Sequence, residues 1–138
     1  TSRAASAKKK IVALLENEKV AEYTRHVGEV ASLAPLLSIS KVVAFPVDDL
    51  YGKVDLPLVL LEALALGIPL VLARGGPLEE IQAARYVPPK DAAALATEIS
   101  QLLESPGDLP HKARSRYLQA YRPGVIAAAY DDLYDALR

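Results

Sequence analysis

Apolar residues recur at helical spacing in several parts of the chain, with polar residues between them. In residues 7–18, Ile11, Val12, Leu14 and Leu15 form one face and lysines and glutamates the other, which predicts an amphipathic helix. The same spacing, with Gly, Pro or Asp at the ends, predicts a short helix or turn over residues 30–38 and helices over residues 56–66, 77–84, 91–104, 109–121 and 124–137.

Three short segments between these helices have the composition of β-strands: residues 42–45, 70–73 and 85–87. The first two are continuous apolar runs, which are typical of strands buried on both faces of a parallel sheet. Strand and helix alternate, so we predict an α/β fold with a Rossmann-like, doubly wound parallel sheet and ligands at the carboxyl ends of its strands. The last two helices have apolar faces that we expect to pack, formed by Tyr117, Leu118, Tyr121, Ile126, Tyr130, Leu133 and Tyr134.

Composition limits the class of protein. The 138 residues are 51% hydrophobic with a formal net charge of -1, which predicts a single globular domain and argues against a nucleic-acid surface. Cysteine is absent, and His26 and His111 are far apart in sequence, so we expect no disulfide, thiol nucleophile or metal site. No apolar stretch reaches the ~18 residues that a membrane span needs, and we see no signal peptide, which favours the cytoplasm. The chain begins with Thr and lacks Met, so we expect a fragment.

Glu62 is the most informative single residue. Its helical neighbours, Leu58, Val59, Ala65 and Leu66, are all apolar, so we expect a buried carboxylate that needs hydrogen-bond donors. Vicinal ribose hydroxyls are natural donors, because one carboxylate can accept from both. A position at the rim of the fold, or a contact with the backbone of a nearby loop, is the structural alternative.

Two helix starts follow strands and are candidates for phosphate binding. The free amides at residues 56–58, with Leu56 and Leu58, face the predicted carboxyl edge of the sheet, and Lys53 adds a positive charge unless it is simply solvated. Gly75 and Gly76 form a second loop at this edge, where glycine serves either a tight turn or close approach of a ligand.

A run of forty residues resembles a known enzyme family. Its sequence, VVAFPVDDLYGKVDLPLVLLEALALGIPLVLARGGPLEEI, is similar to the donor-site core of family 4 glycosyltransferases with the GT-B architecture. The resemblance extends from about His26 to the terminal Tyr-rich helix. It implies the C-terminal half of a GT-B fold and a hexosyl transfer from a nucleotide-sugar substrate, usually with retention and without metal or other cofactor. The chain has no room for the first strand-helix-strand of that half, so we expect it to be missing.

The resemblance also implies roles for individual residues. Glu62 matches the second Glu of the family's Glu-x7-Glu motif, which hydrogen-bonds the donor ribose. Glu79 matches the Glu of the Gly-Gly-x-x-Glu segment, where we expect it to hold the loop of Gly75 and Gly76. The sequence HVGEV resembles the loop beside the nucleobase, which suggests base contacts from Gly28, Glu29 and Val30.

The chain departs from the family pattern at two positions. Val54 stands where the first motif Glu belongs, and the next residue, Asp55, is a displaced and shorter candidate for that catalytic carboxylate. An N-terminal cap of the following helix is the alternative role for Asp55. Pro57 occupies the family's Gly position and offers no amide to phosphate.

Three functions remain open on the sequence. The first is the donor-binding domain of a longer glycosyltransferase, inactive alone because the N-terminal acceptor-binding domain and the basic residues that neutralise the diphosphate are missing. The second is a degenerate Rossmann-like domain kept as a packing or protein-interaction module. The third is a nucleotide-binding α/β module outside the transferases.

Overall fold

The computed structural model of the chain describes residues 2–47 and 55–138. They form two compact units, Thr1–Ala31 and Ser32–Arg138. The first unit contains helix α1, Ser2–Asn17, and a short 3-10 helix, Ala21–Tyr23. Helix α1 has the face predicted from residue 7 onward and begins five residues earlier.

The second unit is an α/β fold in the predicted order. Its elements are α2 (Ala34–Ser38), β1 (Val43–Phe45), α3 (Leu58–Ala65), β2 (Leu70–Ala73), a 3-10 helix (Pro77–Ile81), β3 (Arg85–Val87), α4 (Ala92–Glu104), α5 (Leu109–Ala120) and α6 (Pro123–Ala136). The strands form a parallel sheet in the order β1-β2-β3, with Ala44 opposite Val71 and Leu72 opposite Tyr86.

The central strand β2 divides the core into two layers, because its side chains alternate between the faces of the sheet. Leu70 and Leu72 pack with α3, the 3-10 helix and α5 on one face, whereas Val71 packs with α4 on the other. All four residues of β2 are buried. Helices on both faces of a parallel sheet confirm the doubly wound α/β prediction.

Two arginines of α5 attach that helix to its neighbours. Arg114 donates to the Ala65 carbonyl in the last turn of α3, and Arg116 donates to the carbonyls of Glu80 and Ile81. Carbonyls in the last turn of a helix have no amide partner within the helix, so the contact of Arg114 satisfies a group that would otherwise need water. Ile81 O also accepts from Ala83 N at 2.7 Å.

The segment predicted as a helix over residues 77–84 is a shorter 3-10 helix that ends at Ile81. The carbonyls that would continue an α-helix are bonded elsewhere: Tyr86 Oη donates to Leu78 O, and Arg116 donates to Glu80 O and Ile81 O. Gln82 takes a left-handed conformation at φ 59°, and the chain turns into β3.

The final helix, α6, packs on α5 but buries none of its residues. The predicted packing of the last two helices is confirmed, and the apolar face that α6 turns away from α5 is exposed in the part of the chain that the structure describes. The exposed side chains, here called the α6 stripe, are Ile126, Tyr130, Leu133, Tyr134 and Leu137. None of the helices in the described ranges is long and apolar enough to cross a membrane.

Candidate functional site

The carboxyl ends of the three strands meet at one edge of the sheet, since the strands are parallel. Strand β1 ends at Phe45, β2 at Ala73 and β3 at Val87. Two candidate segments follow at this edge: the start of α3, with Asp55 to Leu58, and the loop of Gly75 and Gly76 after β2. Lys53 and Val54 lie outside the described residues.

Helix α3 begins at Leu58 after an extended Pro57 (φ -60°, ψ 131°), and no side chain caps its first turn. The cap role considered for Asp55 is therefore wrong: Asp55 is exposed and lies two residues before the N-cap position. Pro57 O accepts from Leu60 N at 3.0 Å. The first amides of an α-helix have no partner within the helix, so those of Leu58 and Val59 can serve a ligand.

The two leucines at the start of α3 differ in their surroundings. Leu56 is half-buried and packs against the core, whereas Leu58 is 73% exposed. Of the two, only Leu58 presents its side chain fully to solvent beside the first turn of the helix.

The expectation that Glu62 is buried is wrong, because its side chain is exposed. The buried face of α3 consists of Leu60, Ala63 and Leu64. Glu62 is two residues from both leucines, which places it about 200° around the helix from them. Its apolar neighbours Leu58 and Leu66 are also exposed. Glu62 therefore needs no buried partner for stability.

Glu62 lines a cavity of about 270 Å³ between α3 and the end of α5. The cavity wall combines one carboxylate with apolar and aromatic side chains: Leu58, Leu61, Glu62, Ala65, Tyr117, Tyr121 and Pro123. Sequence reasoning assigned the tyrosines to packing only. Their four-residue spacing from the buried Ala113 was the available signal that all three share one face of α5.

A carboxylate closes the glycine loop after β2. Gly75 N donates to Glu79 Oε1 at 2.9 Å, the contact expected if Glu79 holds this loop. Gly75 and Gly76 have φ of 89° and 140°, and a Cβ built on either meets nothing within 4 Å. Backbone conformation thus favours glycine here, and the space above both residues is open to a ligand.

Tyr86 holds the 3-10 helix that follows this loop. Its hydroxyl donates to Leu78 O at 2.8 Å, and burial raises the pKa of the phenol above its usual 10.0, so the donor proton is retained. The Arg74 guanidinium lies 6.0 Å from the centre of the Tyr86 ring, at the limit of a cation-π contact. Arg74 N also donates to Val87 O at 2.8 Å, which extends the pairing of β2 and β3.

The residues suggested for the nucleobase, Gly28, Glu29 and Val30, belong to the first compact unit, whereas the other candidates belong to the second. Gly28 has φ of 75°, and Glu29 is exposed.

A second cavity, of about 320 Å³, lies at the carboxyl edge on the α4 side and was not predicted. It is lined by Pro46, Ala73, Val87, Pro88, Lys90, Asp91, Ala92 and Leu95. Asp91 Oδ1 accepts from Ala94 N at 2.8 Å, which confirms the predicted cap of α4.

The chain is similar in sequence to known glycosyltransferases. Residues 3–105 match the family described as Glycosyl transferases group 1. The MMP alpha-(1->4)-mannosyltransferase of Mycolicibacterium hassiacum is 33% identical over 111 residues, which cover 75% of this chain and 26% of that protein.

Two solved structures share the fold over almost the whole chain. The sucrose-phosphate synthase of Thermosynechococcus elongatus superposes with a TM-score of 0.81 and 26% identity over 96% of this chain and 34% of its own. Anabaena Alr3699/HepE, solved in complex with UDP, superposes with a TM-score of 0.82 over 93% of this chain and 36% of its own, and its 17% identity makes it a likeness of fold alone. The predicted GT-B resemblance is confirmed, and the chain spans about a quarter to a third of the length of these relatives.

Proposed function

Because the chain belongs to the group 1 glycosyltransferase family, we propose that it is the donor-binding domain of an enzyme that moves a hexosyl group from a nucleotide-sugar to an acceptor. The relative most informative about chemistry is named a mannosyltransferase. This chain covers 26% of that protein, which supports an acceptor-binding domain outside these 138 residues. The nucleotide-sugar is a substrate, and the proposal includes no cofactor.

The observation that carries the proposal is the exposed carboxylate of Glu62 beside a cavity at the start of α3. An exposed glutamate between exposed leucines gains nothing from packing, yet it is placed to accept hydrogen bonds from the vicinal hydroxyls of a ribose. The free amides at Leu58 and Val59 lie one turn away and favour the phosphates of the same nucleotide. The fold-level neighbour Alr3699/HepE was solved with UDP, which is consistent with such a ligand.

The remaining candidates receive roles within this proposal. Lys53 neutralises the diphosphate, Gly76 lets the donor approach the loop after β2, and Glu79 fixes that loop. Base contacts by Gly28, Glu29 and Val30 are proposed from the family resemblance alone. Transfer with retention and without a bound metal is proposed from the family resemblance.

The isolated 138-residue chain is expected to transfer no sugar, because the proposed acceptor-binding domain is absent from it. The test incubates this chain and the full-length enzyme with radiolabelled nucleotide-sugars and follows labelled product. The proposal expects product only with the full-length enzyme. Product from the isolated chain contradicts the need for a second domain.

Asp55→Asn in the full-length enzyme is expected to lower kcat about tenfold or more, whereas the melting temperature stays within a degree or two. Asp55 is exposed and caps no helix, so its removal costs little stability. A carboxylate that stabilises positive charge developing at the sugar carbon needs the charge itself. Asp108→Asn, an exposed Asp before α5 that makes no side-chain cap bond, is the matched control. Unchanged kcat for Asp55→Asn excludes the catalytic role.

The α6 stripe favours a second function, a packing or protein-interaction module. Five exposed apolar side chains along one face of α6 and its C-cap are typical of a surface that another domain or another protein covers. Two binding results together support this second function: the full-length protein binds a partner through the α6 stripe, and it binds no nucleoside diphosphate.

A further inference from the structure

The cavity beside Glu62 has the size of a site for one ring. Its volume of about 270 Å³ lies below the ~300–1,000 Å³ typical of pockets that hold a whole drug-sized ligand. The volume suits one ring of the donor better than a complete nucleotide-sugar, the rest of which then lies outside the cavity.

The two tyrosines of the wall differ in what they already contact. Tyr121 Oη donates to Glu80 O at 3.3 Å, and the Arg116 guanidinium lies 5.5 Å from the centre of its ring, so Tyr121 forms a fixed wall. Tyr117 is half-buried, and within the described part of the chain its hydroxyl makes no hydrogen bond. Its ring packs in part against the core, so its hydroxyl and the uncovered part of the ring are available to a ligand.

The combination of Tyr117, Glu62 and Leu61 suits a sugar ring with vicinal hydroxyls. The carboxylate accepts from the hydroxyls on the edge of the ring, and the tyrosine and leucine surfaces cover its C–H face. We propose that Tyr117 is a donor-binding residue that packs on the ribose held by Glu62. This inference rests on the proposed function.

The geometry of α3 selects the ribose over the transferred sugar. Leu58 lines the same cavity and begins the helix, and Glu62 is four residues later, about 6 Å along the axis. The 5′-phosphate of a ribose bound at Glu62 is therefore within reach of the free amides of the first turn. The transferred sugar is attached beyond the second phosphate and lies farther from this cavity.

The test measures calorimetric binding of UDP and GDP to the full-length enzyme, and the tighter nucleotide is kept as the probe. Tyr117→Leu is expected to weaken its binding about fivefold or more, and Tyr117→Phe, which keeps the ring, to stay within about twofold. Tyr130→Leu, an exposed tyrosine of α6 outside the cavity, is the matched control and is expected to have no effect. Tyr117→Met replaces Tyr117→Leu if that variant does not fold.

The outcomes separate this inference from the proposed function. Weaker binding in Glu62→Gln with unchanged binding in Tyr117→Leu overturns only the role of Tyr117. Unchanged binding in Glu62→Gln overturns the ribose site itself. Tyr117→Leu could also weaken binding of the nucleotide-sugar and leave binding of the nucleoside diphosphate unchanged. That result places the transferred sugar in the cavity and overturns the inference.

Discussion

Replacing Leu64 with alanine is expected to lower the free energy of unfolding of the chain by about 2–5 kcal/mol. Leu64 is fully buried on the inner face of α3, where it belongs to the larger of the two core layers. The substitution removes apolar contacts and leaves a cavity, because the surrounding sheet and helices relax only in part. Urea titration followed by far-UV circular dichroism measures the change.

Leu66→Ala is the matched control for Leu64→Ala. It makes the same chemical change two residues later, at a side chain that is 47% exposed. We expect it to change the free energy of unfolding by less than about 0.5 kcal/mol. Equal losses from the two substitutions contradict the orientation of α3 described here.

Glu62→Gln is expected to weaken binding of a nucleoside diphosphate to the full-length enzyme by about 5- to 150-fold, which corresponds to ~1–3 kcal/mol for the loss of a charged acceptor. The amide keeps the shape of the side chain and loses its charge. Because Glu62 is exposed, the melting temperature is expected to stay unchanged. Isothermal titration calorimetry measures the affinity.

Glu104→Gln is the control for this loss of charge, since Glu104 is an exposed carboxylate at the end of α4. It is expected to leave the affinity unchanged. If both variants lose affinity to a similar extent, the loss comes from the change in net charge, which contradicts a ribose contact at Glu62.

The sequence was sufficient to predict most elements of the second unit. The bounds of β2 match because Gly67 and Pro69 separate it from α3, and β3 ends where Pro88 interrupts the ladder. The start of α4 was equally clear, because Asp91 is a strong N-cap residue and its side chain makes the expected bond.

The surroundings of Glu62 could not be predicted because α3 has apolar residues all around it. Periodicity identifies the buried face of a helix only when polar residues occupy the other face. In α3, contacts with the sheet and α5 decide that Leu64 is inside and Leu58 outside. The expectation of a buried carboxylate failed for this reason, although the cavity keeps Glu62 in the candidate site.

The site also depends on residues far apart in sequence. Tyr117 reaches the cavity of Glu62 only because α5 packs alongside α3, and local spacing carries no information about that contact. The exposure of the α6 stripe could not be predicted for the same reason. The sequence pattern shows an apolar face on α6 and does not show whether another element covers it.

A crystal structure of the full-length enzyme with the nucleoside diphosphate that it binds tighter will show whether Glu62 holds the ribose. Both ribose hydroxyls are expected within about 3.2 Å of the Glu62 carboxylate, with the phosphates at the first turn of α3. A nucleotide bound elsewhere, such as the cavity beside α4, with Glu62 facing solvent, would contradict this expectation.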